Sequence, residues 1–156
     1  MVTTHTDTRT AAVPTAWADE LRRRGITVLP GASAVPVELY GLLPDGRALH
    51  FRCRGTSATL RLHAAGDVAL AVGVREAVRP ELPVTGEVWL PVTDFVGAPT
   101  GRAVLLGAAV AQAVLDGSDR FGWSGHEAGM LRGPAALPLF TELLDAVLDA
   151  HLAVAG

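Results

Sequence analysis

The stretch VPVELYGLLPDGRALHFRCRGTSATLRLH, residues 35–63, decides the fold. Pro44-Asp45-Gly46 lies near its centre, between two runs in which apolar and polar residues alternate. Proline presets φ at the first turn position, aspartate favours the second, and glycine supplies the positive φ that a G1 bulge requires. Counting outward from this turn pairs Leu39 with Phe51 and Val37 with Cys53 on one face, and Tyr40 with His50 and Glu38 with Arg52 on the other. A second turn follows at Gly55-Thr56, where a leading glycine suits a two-residue type II′ loop. Its register pairs Phe51 with Leu60, Leu49 with Leu62 and Cys53 with Ala58. Two turns read separately send the same side chains inward. A slip of one residue would invert them all, so the agreement predicts a three-stranded antiparallel meander.

Beyond the meander, Val68, Leu70, Val72 and Val74 alternate with small residues and predict a fourth strand, with one mostly apolar outer face that needs a cover. Val84 to Val92 alternates too, and Pro83 and Pro91 mark it as an edge strand, with Arg75 to Glu81 as the intervening loop. Upstream, Thr15 can cap a helix running through Arg24, with Trp17 and Leu21 on one face. Gly25 falls at C′ and Ile26 where it would meet Leu21 in a Schellman motif, while Arg22, Arg23 and Arg24 complement the macrodipole. From Thr100 the period changes to 3.6. It predicts a helix to about Asp116, apolar on nearly every side and stopped by Gly117, with Val104, Gly107, Ala108 and Ala111 as a stripe for close approach. A last amphipathic helix starts at about Pro138 and carries Phe140, Leu143, Leu144 and Val147 on its apolar side. The expected fold is α+β: an antiparallel meander sheet of about five strands, with an N-terminal helix and two C-terminal helices packed on one face. Residues 15–156 form a single domain in this reading, and the polar, aperiodic residues 1–14 a disordered tail.

Composition narrows the chemistry. The chain has 156 residues, 49% hydrophobic and 19% charged, with a net charge of −3. That is a globular balance, without the cationic surface that nucleic-acid binding usually needs. All 13 basic residues are arginine, there is no lysine or asparagine, and Ile26 is the lone isoleucine, a skew that reads as a high-GC bacterial coding sequence. Without lysine, Schiff-base chemistry, a P-loop lysine and a Ser–Lys pair are excluded. A single cysteine, Cys53, excludes internal disulfides and cysteine-rich metal sites, and its inward register makes it a core thiol. The N-terminus has no apolar signal segment, and the longest apolar run, Ala103 to Val114, is too short to span a bilayer. The expectation is a cytoplasmic protein with no membrane association and no cofactor.

Two constellations could carry function. The outer face of the meander gathers Glu38, Tyr40, His50, Arg52 and Arg54, joined by Thr59, Arg61 and His63 from the third strand. Arginine presents a planar fork matched to carboxylate or phosphate, and three arginines and two histidines here face one carboxylate. The plain alternative is a solvated sheet face in which Glu38 and Arg52 form a cross-strand ion pair. The second constellation is GSDRFGWSGHEAGMLRG, residues 117–133, with five glycines, Phe121 and Trp123, and the polar residues Asp119, Arg120, Ser124, His126 and Glu127. An aperiodic connection of this length is often functional. It matches neither H-E-x-x-H nor G-x-S-x-G, and Trp123 can equally plug the core or stack on a ligand. His50, His63 and His151 do not assemble the three or four ligands a zinc site needs.

The sequence therefore points to a non-catalytic binding protein of accessory, inhibitor or immunity type. Its recognition surface is the Arg/His-rich sheet face with Trp123, and its partner is an acidic protein or a small anionic ligand; homo-oligomerisation is left open. The competing reading is a small enzyme or small-molecule-binding protein. Its pocket would be roofed by residues 117–133, with His126, Glu127 and Asp119 supplying the catalytic groups.

Overall fold

Both turns form as their residues dictate. In a computed structural model describing residues 15–74, 86–91 and 102–155, Gly46 has φ 89° and its N–H donates to the Leu43 carbonyl at 2.9 Å. The Asp45 carboxylate accepts from the Arg47 N–H at 3.0 Å, which fixes the turn locally. Gly55 has φ 61° while Thr56 is not among the residues with positive φ, as a type II′ turn requires. The strands on either side, β2 (Val37–Leu42), β3 (Ala48–Arg54) and β4 (Ser57–His63), pair antiparallel. Their register holds Leu39 to Phe51, Tyr40 to His50, Phe51 to Leu60 and Cys53 to Ala58.

Two strands flank the meander to complete a five-stranded sheet in the order β1-β2-β3-β4-β8. Strand β1 (Thr27–Ala34) pairs with β2, with a register shift between Leu29 and Ser33 where Pro30 and Gly31 interrupt it. Strand β8 (Ala111–Asp116) pairs with β4 from Leu62↔Ala111 to Ser57↔Asp116. The antiparallel sheet and its terminal helices agree with the expected α+β class; the strand membership does not. Strand β5 (Val68–Val74) leaves the meander and becomes the centre of a second, three-stranded sheet. It lies between β6 (Gly86–Pro91), which is an edge strand as expected, and β7 (Arg102–Leu105).

The helix expected from Thr100 to Asp116 is replaced by β7, a connection and β8, and its proposed cap at Thr100 lies outside the described residues. A run of alanine, valine and glycine that is apolar on all sides carries no contrast between periods of 3.6 and 2. Pairing with the edges of β4 and β5 decides the matter. Residues 1–14 and the 75–81 loop also fall outside the described residues, as does the side chain of His151.

The helices cover the inner face. Helix α1 (Thr15–Arg24) ends in the expected Schellman motif: Ile26 N–H donates to Leu21 O at 2.9 Å and Gly25 N–H to Arg22 O at 3.1 Å. After the short helix α2 (Gly117–Phe121) and a 3₁₀ turn (Ala128–Met130), helix α3 runs from Gly133 to Ala155. It starts five residues before the expected Pro138, which is held inside the helix. The Trp17 indole N–H donates to the buried Gly133 carbonyl at 2.7 Å, tying α1 to the head of α3. Trp17, Phe51 and Phe140 pack ring to ring at 4.8–5.6 Å between α1, β3 and α3. Leu21, Leu39, Leu60, Leu62, Leu144 and Val147 surround them.

A second, smaller cluster sits on the opposite face. Val68, Leu70 and Ala103 of the second sheet close on Leu29 and Ala48 of the first, with Tyr40, Leu42 and Leu105 at its margin. The second sheet thus covers one end of the outer face and leaves the other end open.

Candidate functional site

The open end of that face is a cleft of about 220 Å³ lined by His50, Arg52, Arg54, Ser57, Thr59 and Arg61. Alternation along β3 and β4 places them: Leu49, Phe51, Cys53, Leu60 and Leu62 are buried inward, so their neighbours must point out. Arg52, Arg54 and Arg61 are exposed. Arg61 donates from Nε to the Gln112 side-chain carbonyl at 2.9 Å, which steadies its guanidinium. Among the described residues, no carboxylate pairs with any of the three. Several other arginines are paired: Arg24 binds Glu20 and Asp145, Arg47 binds Asp45, and Arg120 binds Glu142, while Arg132, exposed at the head of α3, pairs with no carboxylate among the described residues.

Glu38 does not form the cross-strand ion pair with Arg52 that the register allows. Its Oε1 accepts from Tyr40 Oη at 3.0 Å and from His50 Nε2 at 2.8 Å. The tyrosine and histidine rings stack at 4.4 Å and 9°. Burial raises the Tyr40 pKa above its usual 10.0, and the Glu38 carboxylate adds to the rise. Burial also pushes His50 below the ordinary 6.5; Glu38 pulls it back without cancelling the effect, and Arg61 and Arg52 lower it further.

His63 belongs to the same face but not to the cleft. It is 4% exposed near the junction of the two sheets, and neither ring nitrogen has a hydrogen-bond partner among the described residues. Burial holds its pKa below 6.5 against the pull of the Gly107 backbone and the Asp67 carboxylate. A depressed folded-state pKa means that the unfolded chain binds the proton more readily, so stability is complete above about pH 6.5 and falls as pH drops below it. Urea midpoints measured from pH 8 downward are expected to show this loss, and His63→Leu to reduce it, leaving the share from His50. An unchanged slope in the variant would assign the loss to other groups.

Residues 117–133 are organised rather than open. Asp116 caps α2 by accepting from Ser118 N–H at 2.9 Å, and Gly122, at φ 71°, turns the chain so that Trp123 N–H donates to Gly117 O at 3.0 Å. Trp123 packs against the main core, with its indole across Gly117 where a Cβ would stand, and against Phe121 at 4.9 Å. Gly117→Ala therefore displaces the indole and is expected to cost about 1–3 kcal/mol by thermal or urea denaturation. A neutral result would mean that Trp123 moves aside freely. The Glu127 carboxylate is occupied by the Ser124 and Gly125 N–H groups at 2.6 and 3.0 Å. His126 and Asp119 are exposed. None of His126, Glu127, Asp119 and Trp123 lines the cleft.

Cys53 is fully buried and its thiol is pushed up to about 12 by desolvation, which leaves no thiolate for nucleophilic or metal chemistry near neutral pH. Among the described residues, no three His, Cys, Asp or Glu side chains group to hold a metal ion, and no helix is long and apolar enough to cross a membrane. The chain matches no protein-family model, no curated protein and no solved structure.

Proposed function

We propose that this is a cytoplasmic, non-catalytic binding protein that takes a small oxyanion, or the oxyanion group of a small ligand, in the cleft of β3 and β4. One observation carries the reading: among the described residues Arg52, Arg54 and Arg61 line one cleft without a carboxylate partner, whereas Arg22, Arg23, Arg24, Arg47 and Arg120 of the same acidic chain have theirs. Guanidinium forks held this way match carboxylate, phosphate or sulfate geometry. The cleft volume of about 220 Å³ lies below the range for drug-sized ligands, which favours an ion or a compact anionic group over a broad acidic protein surface.

Calorimetric titration with phosphate and with sulfate over a series of sodium chloride concentrations tests this. Binding is expected at low ionic strength and should weaken steeply with salt, because exposed charges are screened over about 8–10 Å near physiological ionic strength. Absence of oxyanion binding at low salt, or binding indifferent to salt, would refute the proposal.

A further inference from the structure

Three side chains lining the cleft can accept a hydrogen bond: the Ser57 and Thr59 hydroxyls, which rotate and can equally donate to an anion, and His50, whose state is set by its surroundings. Glu38 Oε1 already receives the Tyr40 hydroxyl at 3.0 Å and faces His50 Nε2 at 2.8 Å. A carboxylate can only accept, so the hydrogen in the second contact sits on Nε2. A neutral imidazole protonated there carries a bare lone pair on Nδ1. The Tyr40 ring, stacked at 9°, fixes the imidazole plane, and Nδ1 has no hydrogen-bond partner among the described residues. The groups around His50 are Glu38 and Tyr40 from β2, Arg52 on its own strand, and Arg61 and His63 from β4, with Arg102 of β7 acting on Tyr40. Burial and the two arginines keep His50 neutral at and above neutral pH.

A ligand here meets three cationic donor forks and one fixed acceptor. Resting on the anion-binding reading above, we propose that the site selects an oxyanion that retains a proton, inorganic hydrogen phosphate, over oxyanions of equal charge that have none. Hydrogen phosphate can donate its remaining O–H to Nδ1 while its other oxygens face the arginines. Sulfate would set a lone pair against a lone pair. A phosphate monoester, whose second pKa is near 6, has also shed its proton at mildly alkaline pH.

The test is competitive titration of the full chain with inorganic phosphate, sulfate and methyl phosphate at about pH 8 and matched ionic strength, where all three are mainly dianions. One added hydrogen bond, in place of the lone-pair repulsion that sulfate meets, predicts that phosphate binds about tenfold more tightly than the other two. His50→Phe keeps the ring stack and the arginines and is expected to bring phosphate down to the sulfate value. Sulfate, which does not titrate in this range, supplies a second readout in the unaltered protein. Its binding should tighten as pH falls through the His50 transition, because protonated Nδ1 becomes a donor, and His50→Phe should lose that change. Equal binding of phosphate and sulfate, methyl phosphate ranking with phosphate, selectivity that survives His50→Phe, or sulfate affinity flat with pH would each overturn the selectivity while leaving anion binding in place. Failure of all three ions to bind would remove the anion-binding reading and this inference with it.

Discussion

Phe51→Ala is expected to destabilise the protein by about 3–5 kcal/mol, the range for truncating a large aromatic side chain in a packed core. Phe51 is 0% exposed and stands between Trp17 at 5.6 Å and Phe140 at 5.3 Å. Its removal leaves a void bordered by two rings whose positions are fixed from elsewhere, Trp17 by its bond to Gly133 and Phe140 by the frame of α3. Neither can collapse into the gap without giving up its own contacts, so the upper part of the range is the better guide. Since native domains are stable by only about 5–15 kcal/mol, the variant should show a much lower urea midpoint or fail to fold at 37 °C. A loss below about 1 kcal/mol would mean that the three rings do not form the centre of the core.

Replacing Arg52, Arg54 and Arg61 together by glutamine is expected to abolish oxyanion binding while leaving the fold intact. Hydrogen bonds to charged groups contribute about 1.5–3 kcal/mol each. Even with the glutamine amides recovering part of that, three losses correspond to at least about a hundredfold drop in affinity. All three side chains are exposed and none contributes to either apolar cluster, so the melting temperature should move by no more than a few degrees. Arg120→Gln, which breaks a surface pair with Glu142 away from the cleft, is the control and should bind normally. Retained binding in the triple variant would place the site elsewhere on the molecule.

The parts of the fold that could be read in the sequence are those whose cause is local. Pro44-Asp45-Gly46 and Gly55-Thr56 determine their own geometry, and strands hung from such turns inherit a register, so the pairings of β2, β3 and β4 were legible residue by residue. Strand β8 was not. In Ala111-Gln112-Ala113-Val114-Leu115-Asp116 the outward Gln112 and Asp116 are separated by an apolar Val114 and the inward face is mostly alanine, so the period of 2 is faint, and the partner that makes it a strand, β4, lies about fifty residues away. Strand β1 carried no expectation, since Pro30 and Gly31 at its irregularity break the alternation that would mark a strand. The row of arginines followed from the same alternation as the core. The cleft did not, because its closed end depends on where the second sheet docks. The partners of Glu38 were also misread: register places Arg52 opposite, but the carboxylate turns along the face to Tyr40 and His50.

Strand β3 passes between two unlike environments. Ala48 and Leu49 are adjacent in the chain and both fully buried, one in each apolar cluster, whereas Arg52 and Arg54 leave the outer face of its far end to solvent. Opening the backbone at Ala48–Phe51 means breaking both clusters, so amide exchange there is expected to track global unfolding, while the end near Arg54, covered on its inner face alone, is expected to exchange through smaller fluctuations. The strand is clamped at one end like a reed, and the cleft opens beside its freer tip. Occupancy of the cleft should therefore register less as a shift in melting temperature than as slowed exchange at the amides of Arg52, Cys53 and Arg54.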